Sequence, residues 1–262
     1  MVKNPTSYLS EQWSNSGVRE GDCLLLHSSL KRTLNTDAAR SANLGPGDVL
    51  KSFLDVLGPE GTLLVPLFNF DFCDGIPFDY FKTPSRMGEF TECVRRHDGA
   101  VRTGHPVYSF AALGRRAHDF AEIDNQSGYG NDSPFAKLMQ MGGKIGILDL
   151  QENDSMTFYH FVEEACGIDY RYLKSFTSEY TDRLGTTSRR TYMINVRDIE
   201  RGVETAVNPA GEILWESGAY VGDRPGVGSG LRVVEATSVF KITEEIIRSG
   251  KAEGTLYRRS TV

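Results

Sequence analysis

Asp22-Cys23-Leu24-Leu25-Leu26-His27 is a continuous apolar run, as expected of a β-strand that is buried on both faces. Gly45-Pro46-Gly47-Asp48 then begins a predicted helix that runs to about Leu57. After a turn, Thr62-Leu63-Leu64-Val65-Pro66 repeats the buried-strand pattern. A strand, a helical crossover and a second strand are typical of a parallel sheet. The sequence therefore predicts an α/β fold with a central, mostly parallel sheet flanked by helices.

The C-terminal third of the chain has a different pattern. It predicts strands at residues 189–196, 212–216 and 232–236, followed by a helix at residues 239–248. We therefore expect an α/β core over residues 1–175. Residues 176–262 should form a smaller β-containing portion that packs on this core and is not an independent domain.

Composition and charge restrict the class of partner. The chain has 262 residues, a net charge of −6 and 39% hydrophobic residues. Nucleic acids require a basic surface, so an acidic chain argues against them. No apolar run reaches membrane-spanning length, and the N-terminal residues lack the apolar segment of a secretory signal. The scattered cysteines predict reduced thiols, so we expect a cytoplasmic protein with no membrane partner.

The clearest chemical signal is a predicted helix that begins near Asp154. Thr157, His160 and Glu163 or Glu164 recur at spacings of three and four, so they share one helix face. A histidine is easily tuned to accept a proton near neutral pH, and a neighbouring carboxylate fixes its tautomer and raises its basicity. Taken alone, the pattern predicts either a general-base pair or a surface helix with incidental charges.

Three other segments hold polar groups with a possible binding role. Ser28-Ser29-Leu30-Lys31 follows a buried strand, where hydroxyls, N–H groups and a lysine can bind phosphate. Ser85 and Arg86 precede a predicted helix, and the arginine can bind phosphate or carboxylate. His105 can be a base, a ligand or a packed polar residue. Capping or packing is the alternative for each, and no metal-binding pattern is present in the sequence.

Six motifs occur in a fixed order over most of residues 1–175. They are Leu26-His27-Ser28-Ser29-Leu30, Leu57-Gly58-Pro59-Glu60-Gly61-Thr62-Leu63-Leu64-Val65-Pro66, Thr83-Pro84-Ser85-Arg86-Met87-Gly88, Gly104-His105-Pro106, Asp132-Ser133-Pro134, and Asp154 through Thr157 and His160 to Glu163. This ordered series closely resembles the aminoglycoside 3-N-acetyltransferase family.

The resemblance implies an enzyme that uses acetyl-CoA, or another short acyl-CoA, to acylate an amino group of a sugar, without a metal. It implies that His160 is the catalytic base and that Glu163 is its carboxylate partner. The residues expected to hold coenzyme A are Ser28, Ser29, Leu30, Lys31, Ser85, Arg86 and Ser109. The residues expected to contact the substrate are Asp154, Thr157, His105 and Glu164. The family's His-Pro-x-His-Ser pattern is kept only in part, because Tyr108 replaces the second histidine.

Two classes of acceptor stay open at this point. A polycationic aminoglycoside requires a cleft lined by carboxylates, for which the candidates are Asp119, Glu122, Asp124, Asp132, Glu163, Glu164 and Asp169. An amino sugar linked to a nucleotide diphosphate, as used to build surface polysaccharides, requires arginines and aromatic rings. The candidates for that ligand are Arg102, Arg171, Tyr170, Tyr172, Lys174 and the Phe-rich residues 67–81. A coenzyme A-binding protein without activity is a third interpretation, and the sequence does not define the oligomeric state.

Overall fold

The computed structural model describes residues 5–260 of the chain. The strands in this range are β1 (Cys23–Ser28), β2 (Thr62–Pro66), β3 (Phe78–Asp79), β4 (Val101–Arg102), β5 (Phe110–Gly114), β6 (Lys144–Leu148), β7 (Arg171–Thr181), β8 (Thr187–Arg197), β9 (Val203–Thr205), β10 (Val221–Gly222), β11 (Leu231–Glu235) and β12 (Tyr257–Arg259). The α-helices are α1 (Pro5–Asn15), α2 (Lys31–Leu34), α3 (Asp37–Ser41), α4 (Pro46–Leu57), α5 (Glu89–Arg95), α6 (His118–Ala121), α7 (Pro134–Gln140), α8 (Phe158–Cys166), α9 (Asn208–Glu216) and α10 (Ala236–Arg248).

A seven-stranded sheet in the order β10-β11-β6-β1-β2-β5-β4 forms the centre of the protein. Strand β1 pairs in parallel with both β2 and β6. Strands β5 and β11 run antiparallel to both of their neighbours. All strands of this sheet except β5 and β11 therefore point the same way. The predicted α/β class, with a mostly parallel sheet flanked by helices, is confirmed.

The central strands are apolar throughout because both faces of the sheet are covered. Leu24 and Leu26 pack into one hydrophobic cluster, which includes Trp13 of α1 and Phe53 of α4. Leu25, between them in sequence, points into the opposite cluster. The Trp13 and Phe53 rings stack with their centroids 4.7 Å apart. Because successive side chains of β1 point to opposite faces of the sheet, the strand contributes to two separate hydrophobic clusters.

A second, three-stranded sheet is built around the hairpin of β7 and β8, with β3 parallel to the edge of β7. The hairpin pairs from Arg171 opposite Arg197 to Thr181 opposite Thr187. Strands β9 and β12 pair separately. This arrangement places one long antiparallel ribbon beside the carboxyl-end region of α8.

Several predictions for the C-terminal portion need correction. The strand predicted at residues 212–216 is wrong, because these residues belong to α9, where Ala210 and Leu214 are buried four positions apart. The strand predicted at 232–236 is present as β11, and it lies in the central sheet beside β6. Residue 175 falls inside β7. The division of the chain into a core and a smaller C-terminal portion at that residue stays a prediction.

The segment before α8 is held by a buried carboxylate. Arg232 of β11 donates to Glu152 Oε2 over 3.0 Å, and the Tyr159 hydroxyl donates to Glu152 Oε1 over 2.7 Å. The Tyr220 hydroxyl donates to the same carboxylate at 2.8 Å. Since Tyr159 lies in α8, this cluster ties the helix to the central sheet.

Helix α8 begins later than the sequence predicts. Residues Glu152–Asp154 form a 3-10 helix, and Thr157 is the N-cap without a side-chain hydrogen bond. The predicted start near Asp154 is therefore wrong, because residues Glu152–Asp154 form a separate 3-10 turn before the helix. Within residues 5–260, no helix is long and apolar enough to cross a membrane.

Candidate active site

His160 lies in the first turn of α8 and contacts a buried carboxylate. Its Nδ1 is 2.7 Å from Oε2 of Glu163, whose side chain is fully buried. Arg171 Nε lies 2.7 Å from the same oxygen, and the Tyr170 hydroxyl donates to Oε1 over 3.0 Å. Three groups therefore hold the Glu163 carboxylate in a fixed orientation.

These contacts determine the tautomer of His160. A carboxylate only accepts hydrogen bonds, so Nδ1 carries the hydrogen. A guanidinium only donates, and Arg171 Nη2 lies 3.4 Å from His160 Nε2. Nε2 therefore keeps its lone pair. A neutral imidazole with a free electron pair is the state that a general base requires.

The electrostatic environment keeps the His160 imidazole uncharged at neutral pH. Burial lowers the pKa of His160, and the Arg171 charge lowers it further, against the opposing effect of Glu163. Burial alone would raise the pKa of Glu163, but Arg171 and His160 outweigh it and hold that pKa below its ordinary value. The pair is therefore a neutral imidazole beside an ionised carboxylate.

His160 faces a cavity of about 470 Å³. Its side chain is 16% exposed, and the Tyr129 ring lies against it with centroids 5.4 Å apart. The other walls come from β7 and β8 and from Phe70 and Tyr108. A volume of this order suits a small ligand.

A row of rings connects this cavity with the carboxyl end of β1. The successive centroid distances are 6.5 Å from His27 to Phe68, 4.8 Å from Phe68 to Tyr108, and 4.6 Å from Tyr108 to Tyr129. At the β1 end, His27 Nε2 and Ser28 Oγ are buried without a hydrogen-bond partner in the described part of the chain. Unsatisfied buried polar atoms of this kind fit a bound polar ligand.

The comparisons with known proteins assign the chain to a family. A family model for aminoglycoside 3-N-acetyltransferase matches residues 25–248. The chain belongs to the aminoglycoside 3-N-acetyltransferase family.

Individual relatives agree with this assignment. The aminoglycoside N(3)-acetyltransferase VII of Streptomyces paromomycinus is 29% identical over 170 residues, which is 56% of this chain and 56% of that relative. The match thus spans just over half of the relative's length. AAC-IIIb in a binary complex with CoASH superimposes with a TM-score of 0.79 at 22% identity, over 94% of this chain and 96% of that one. AAC-VIa bound to sisomicin gives a TM-score of 0.77 at 22% identity, over 94% and 98%. These two structures show the fold.

The residues predicted to hold coenzyme A do not all lie together. Ser28 ends β1, and the Ser29 N–H donates to Leu148 O at the end of the neighbouring strand. Leu30 and Lys31 follow at the start of α2. This group is brought together at the carboxyl edge of the sheet, where ligands bind in open α/β sheets.

Ser85 and Arg86 lie beside the loop that follows β2, where the Arg86 N–H donates to Phe68 O over 3.0 Å, and their side chains have partners of their own. Ser85 Oγ shares a hydrogen bond with Thr91 Oγ1 at 2.8 Å, and Arg86 pairs with Asp71 at 3.1 Å. Their predicted contacts with coenzyme A stay predictions.

His105 and Ser109 are both fully buried and do not line the cavity. His105 Nδ1 accepts from the N–H groups of Val107 and Tyr108, and burial lowers the pKa of His105 to about 4. Ser109 Oγ accepts from the Arg102 guanidinium at 3.1 Å. These side chains support the fold here, and their predicted ligand contacts stay predictions.

The other predicted substrate contacts also lie outside the cavity wall. Asp154 is exposed, and Thr157 Oγ1 donates to Ser155 O at 3.3 Å. Glu164 accepts from Ser127 at 2.8 Å, and burial raises its pKa. Their substrate roles stay predictions.

Sequence reasoning did not foresee that Tyr170 and Arg171 hold the Glu163 carboxylate. The sequence signal for this arrangement is Gly167, which ends α8 in the left-handed conformation with a φ of 63°. It turns the chain back, so the next strand begins beside the helix. Within residues 5–260, no group of three or more His, Cys, Asp or Glu side chains is placed to hold a metal ion.

Proposed function

We propose that the protein transfers an acetyl or another short acyl group from coenzyme A to an amino group of an amino sugar. His160 is the general base. The observation that carries this proposal is the 2.7 Å contact between His160 Nδ1 and Glu163, which orients a side chain that lines an open cavity.

The chemistry needs a base at this position. An ammonium must lose a proton before its nitrogen can attack the thioester carbonyl. His160 Nε2 takes that proton directly or through a water, while Glu163 stabilises the resulting imidazolium. The C–N bond forms, the C–S bond breaks, and the sulfur leaves as the free thiol after it takes up a proton.

The binding of coenzyme A is supported by groups at the end of β1. Ser28, with its unpartnered Oγ, and Ser29, Leu30 and Lys31 would hold it, together with Ser85 and Arg86. When bound, coenzyme A supplies the activated acyl group as a thioester. The row of rings leading to His160 offers an apolar surface for its pantetheine arm.

A non-catalytic coenzyme A-binding protein is the competing interpretation. Such a protein would not need a buried carboxylate that orients a histidine toward a cavity. Burying the Glu163–Arg171 ion pair costs free energy. An enzyme gains an oriented base in return, whereas a binding protein does not.

Thiol release tests the proposed function. The purified protein is incubated with acetyl-CoA or a longer acyl-CoA and with a panel of free amino sugars, aminoglycosides and nucleotide-linked amino sugars. We expect release that depends on the acceptor amine, with the acylated product identified by mass spectrometry. Calorimetric binding of coenzyme A without release from any acceptor would instead identify a binding protein.

Glu163→Gln is expected to change both the rate and its pH dependence. The loss of the carboxylate charge lowers the pKa of His160 further, since Glu163 now raises it. The acid limb of kcat/KM should therefore move to lower pH, while the plateau falls by about 10²-fold because the weaker base is poorly oriented. Glu216→Gln, at an exposed carboxylate of α9, is the control. An unchanged acid limb would show that Glu163 does not act on the base.

A further inference from the structure

The cavity beside His160 is lined by positive charge. Arg171, Lys174 and Arg197 contribute to its wall, and no lining residue is Asp or Glu. Glu163 lies behind the wall, fully buried and paired with Arg171. A polycationic acceptor would meet like charge here, although the whole chain is acidic.

Two of the cations at this site, Lys174 and Arg197, have no structural explanation in the fold. Arg171 and Arg197 are directly opposite each other in the register of β7 and β8. Like charges at opposite positions destabilise a strand pair. Among the described residues, neither Lys174 nor Arg197 has an ion-pair partner. An unfavourable charge arrangement at a cavity is typical of a binding site for an anion.

Aromatic side chains complete the same wall. Tyr172 and Phe70 are 49% and 48% exposed, which is high for large rings at a cavity. Phe176 lies beneath Lys174 with its centroid 5.5 Å from Nζ. Exposed rings beside cations can stack on a planar base while the cations hold phosphate.

The acids considered for an aminoglycoside do not compensate for this charge. Of these acids, in the described part of the chain, only the buried Glu163 contacts His160, and none of them lines the cavity. Most are neutralised by nearby arginines. These pairs are Asp119 with Arg116, Glu122 with Arg183, Asp124 with Arg190, and Asp169 with Arg201.

We propose that the acceptor is an amino sugar carrying a diphosphate, of the nucleoside diphosphate class, bound against Lys174, Arg197 and Tyr172. This assignment rests on the proposed acyltransfer function. Arg171 contributes its charge but is engaged by Glu163, and its Nη1 donates to Asn195 O over 3.2 Å. The diphosphate is therefore held by the two unpaired cations.

Coenzyme A also carries a diphosphate, so the test must separate the two sources. The residues predicted to hold coenzyme A, at 28–31, 85–86 and 109, do not line this cavity, and the proposed path of the pantetheine arm meets it at Tyr108, Tyr129 and His160. A diphosphate bound at Lys174 and Arg197 should therefore be compatible with bound coenzyme A. Calorimetric titration with uridine 5′-diphosphate and with thymidine 5′-diphosphate, with and without saturating coenzyme A, measures this directly.

Charge reversal of the two unpaired cations should abolish diphosphate recognition. In Lys174→Glu/Arg197→Glu, we expect at least about tenfold weaker nucleoside diphosphate binding and a similar rise in the acceptor KM, with the acyl-CoA KM unchanged. Lys174→Gln/Arg197→Gln, which adds no negative charge, should show a smaller effect in the same direction. Lys241→Glu/Lys251→Glu makes the same net-charge change at exposed positions outside the cavity and should bind like the wild type.

Several outcomes would overturn the acceptor assignment. One is an absence of nucleoside diphosphate binding to the wild type. Another is complete displacement of the bound nucleoside diphosphate by coenzyme A, which would show that Lys174 and Arg197 bind the coenzyme. Turnover of an aminoglycoside or a free amino sugar with kcat/KM equal to that of the matched nucleotide sugar would overturn it while leaving the acyltransferase function intact. Thiol release from no acceptor at all would remove both proposals.

Discussion

Replacement of His160 by alanine is expected to reduce turnover by about 10²–10⁴-fold, the usual contribution of a general base. The substitution removes His160 Nε2, the atom proposed to take the proton from the acceptor amine. Acyl-CoA binding should be unchanged, because the residues predicted to hold coenzyme A lie at the ends of β1 and before α5. Initial rates of thiol release and calorimetric coenzyme A titration measure the two properties separately.

Added imidazole separates loss of a base from loss of structure. The cavity is open, and the alanine variant leaves room for a small imidazole beside Glu163. We expect partial recovery of turnover that depends on the imidazole concentration and requires its neutral form. His97→Ala, at an exposed histidine, is the matched control and should keep the wild-type rate. Near wild-type turnover in His160→Ala would refute the assignment of the base.

Glu152→Ala is expected to cause the largest loss of stability, about 3–5 kcal/mol, because it leaves a buried arginine without its counter-charge. Arg232 is 2% exposed and donates to Glu152 at 3.0 Å. The hydroxyls of Tyr159 and Tyr220 would lose the same acceptor. Urea unfolding followed by circular dichroism gives the difference in the free energy of unfolding.

A double variant distinguishes loss of the ion pair from loss of packing. Glu152→Met/Arg232→Met replaces both charges by apolar side chains of similar length, so it should be much more stable than Glu152→Ala. If Glu152→Ala alone loses less than about 1 kcal/mol, the buried cluster does not hold α8 to the sheet.

The parts of the fold that local patterns specify could be predicted from sequence. The apolar run at β1, the Gly-Pro start of α4 and the strand at β2 each carry their own signal, and each is present. The start of α8 was wrong because a 3-10 turn competes for the same polar residues. The strand expected at residues 212–216 was wrong because a short apolar segment does not distinguish a strand from a helix.

The candidate site could be predicted only where its residues are close in sequence. The spacing within one helix predicted a contact of His160 with Glu163 or Glu164, and the structure shows the contact with Glu163. The contact of Arg171 with Glu163 depends on how β7 packs beside α8, which no spacing reveals. Sequence alone offered both an acidic and a basic set of acceptor residues. Only the three-dimensional arrangement shows that Arg171, Tyr172 and Lys174 of the second set line the cavity, whereas Arg102 and Tyr170 do not.

One carboxylate serves two purposes in this protein. Glu163 orients the imidazole and also neutralises Arg171, the first residue of the strand that forms the cavity wall. A change at Arg171 would therefore alter the proton affinity of His160 as well as the shape of the wall. Substitutions that change the cavity wall with less effect on His160 are therefore expected at Tyr172 and Lys174 rather than at Arg197, whose charge also lowers the pKa of His160.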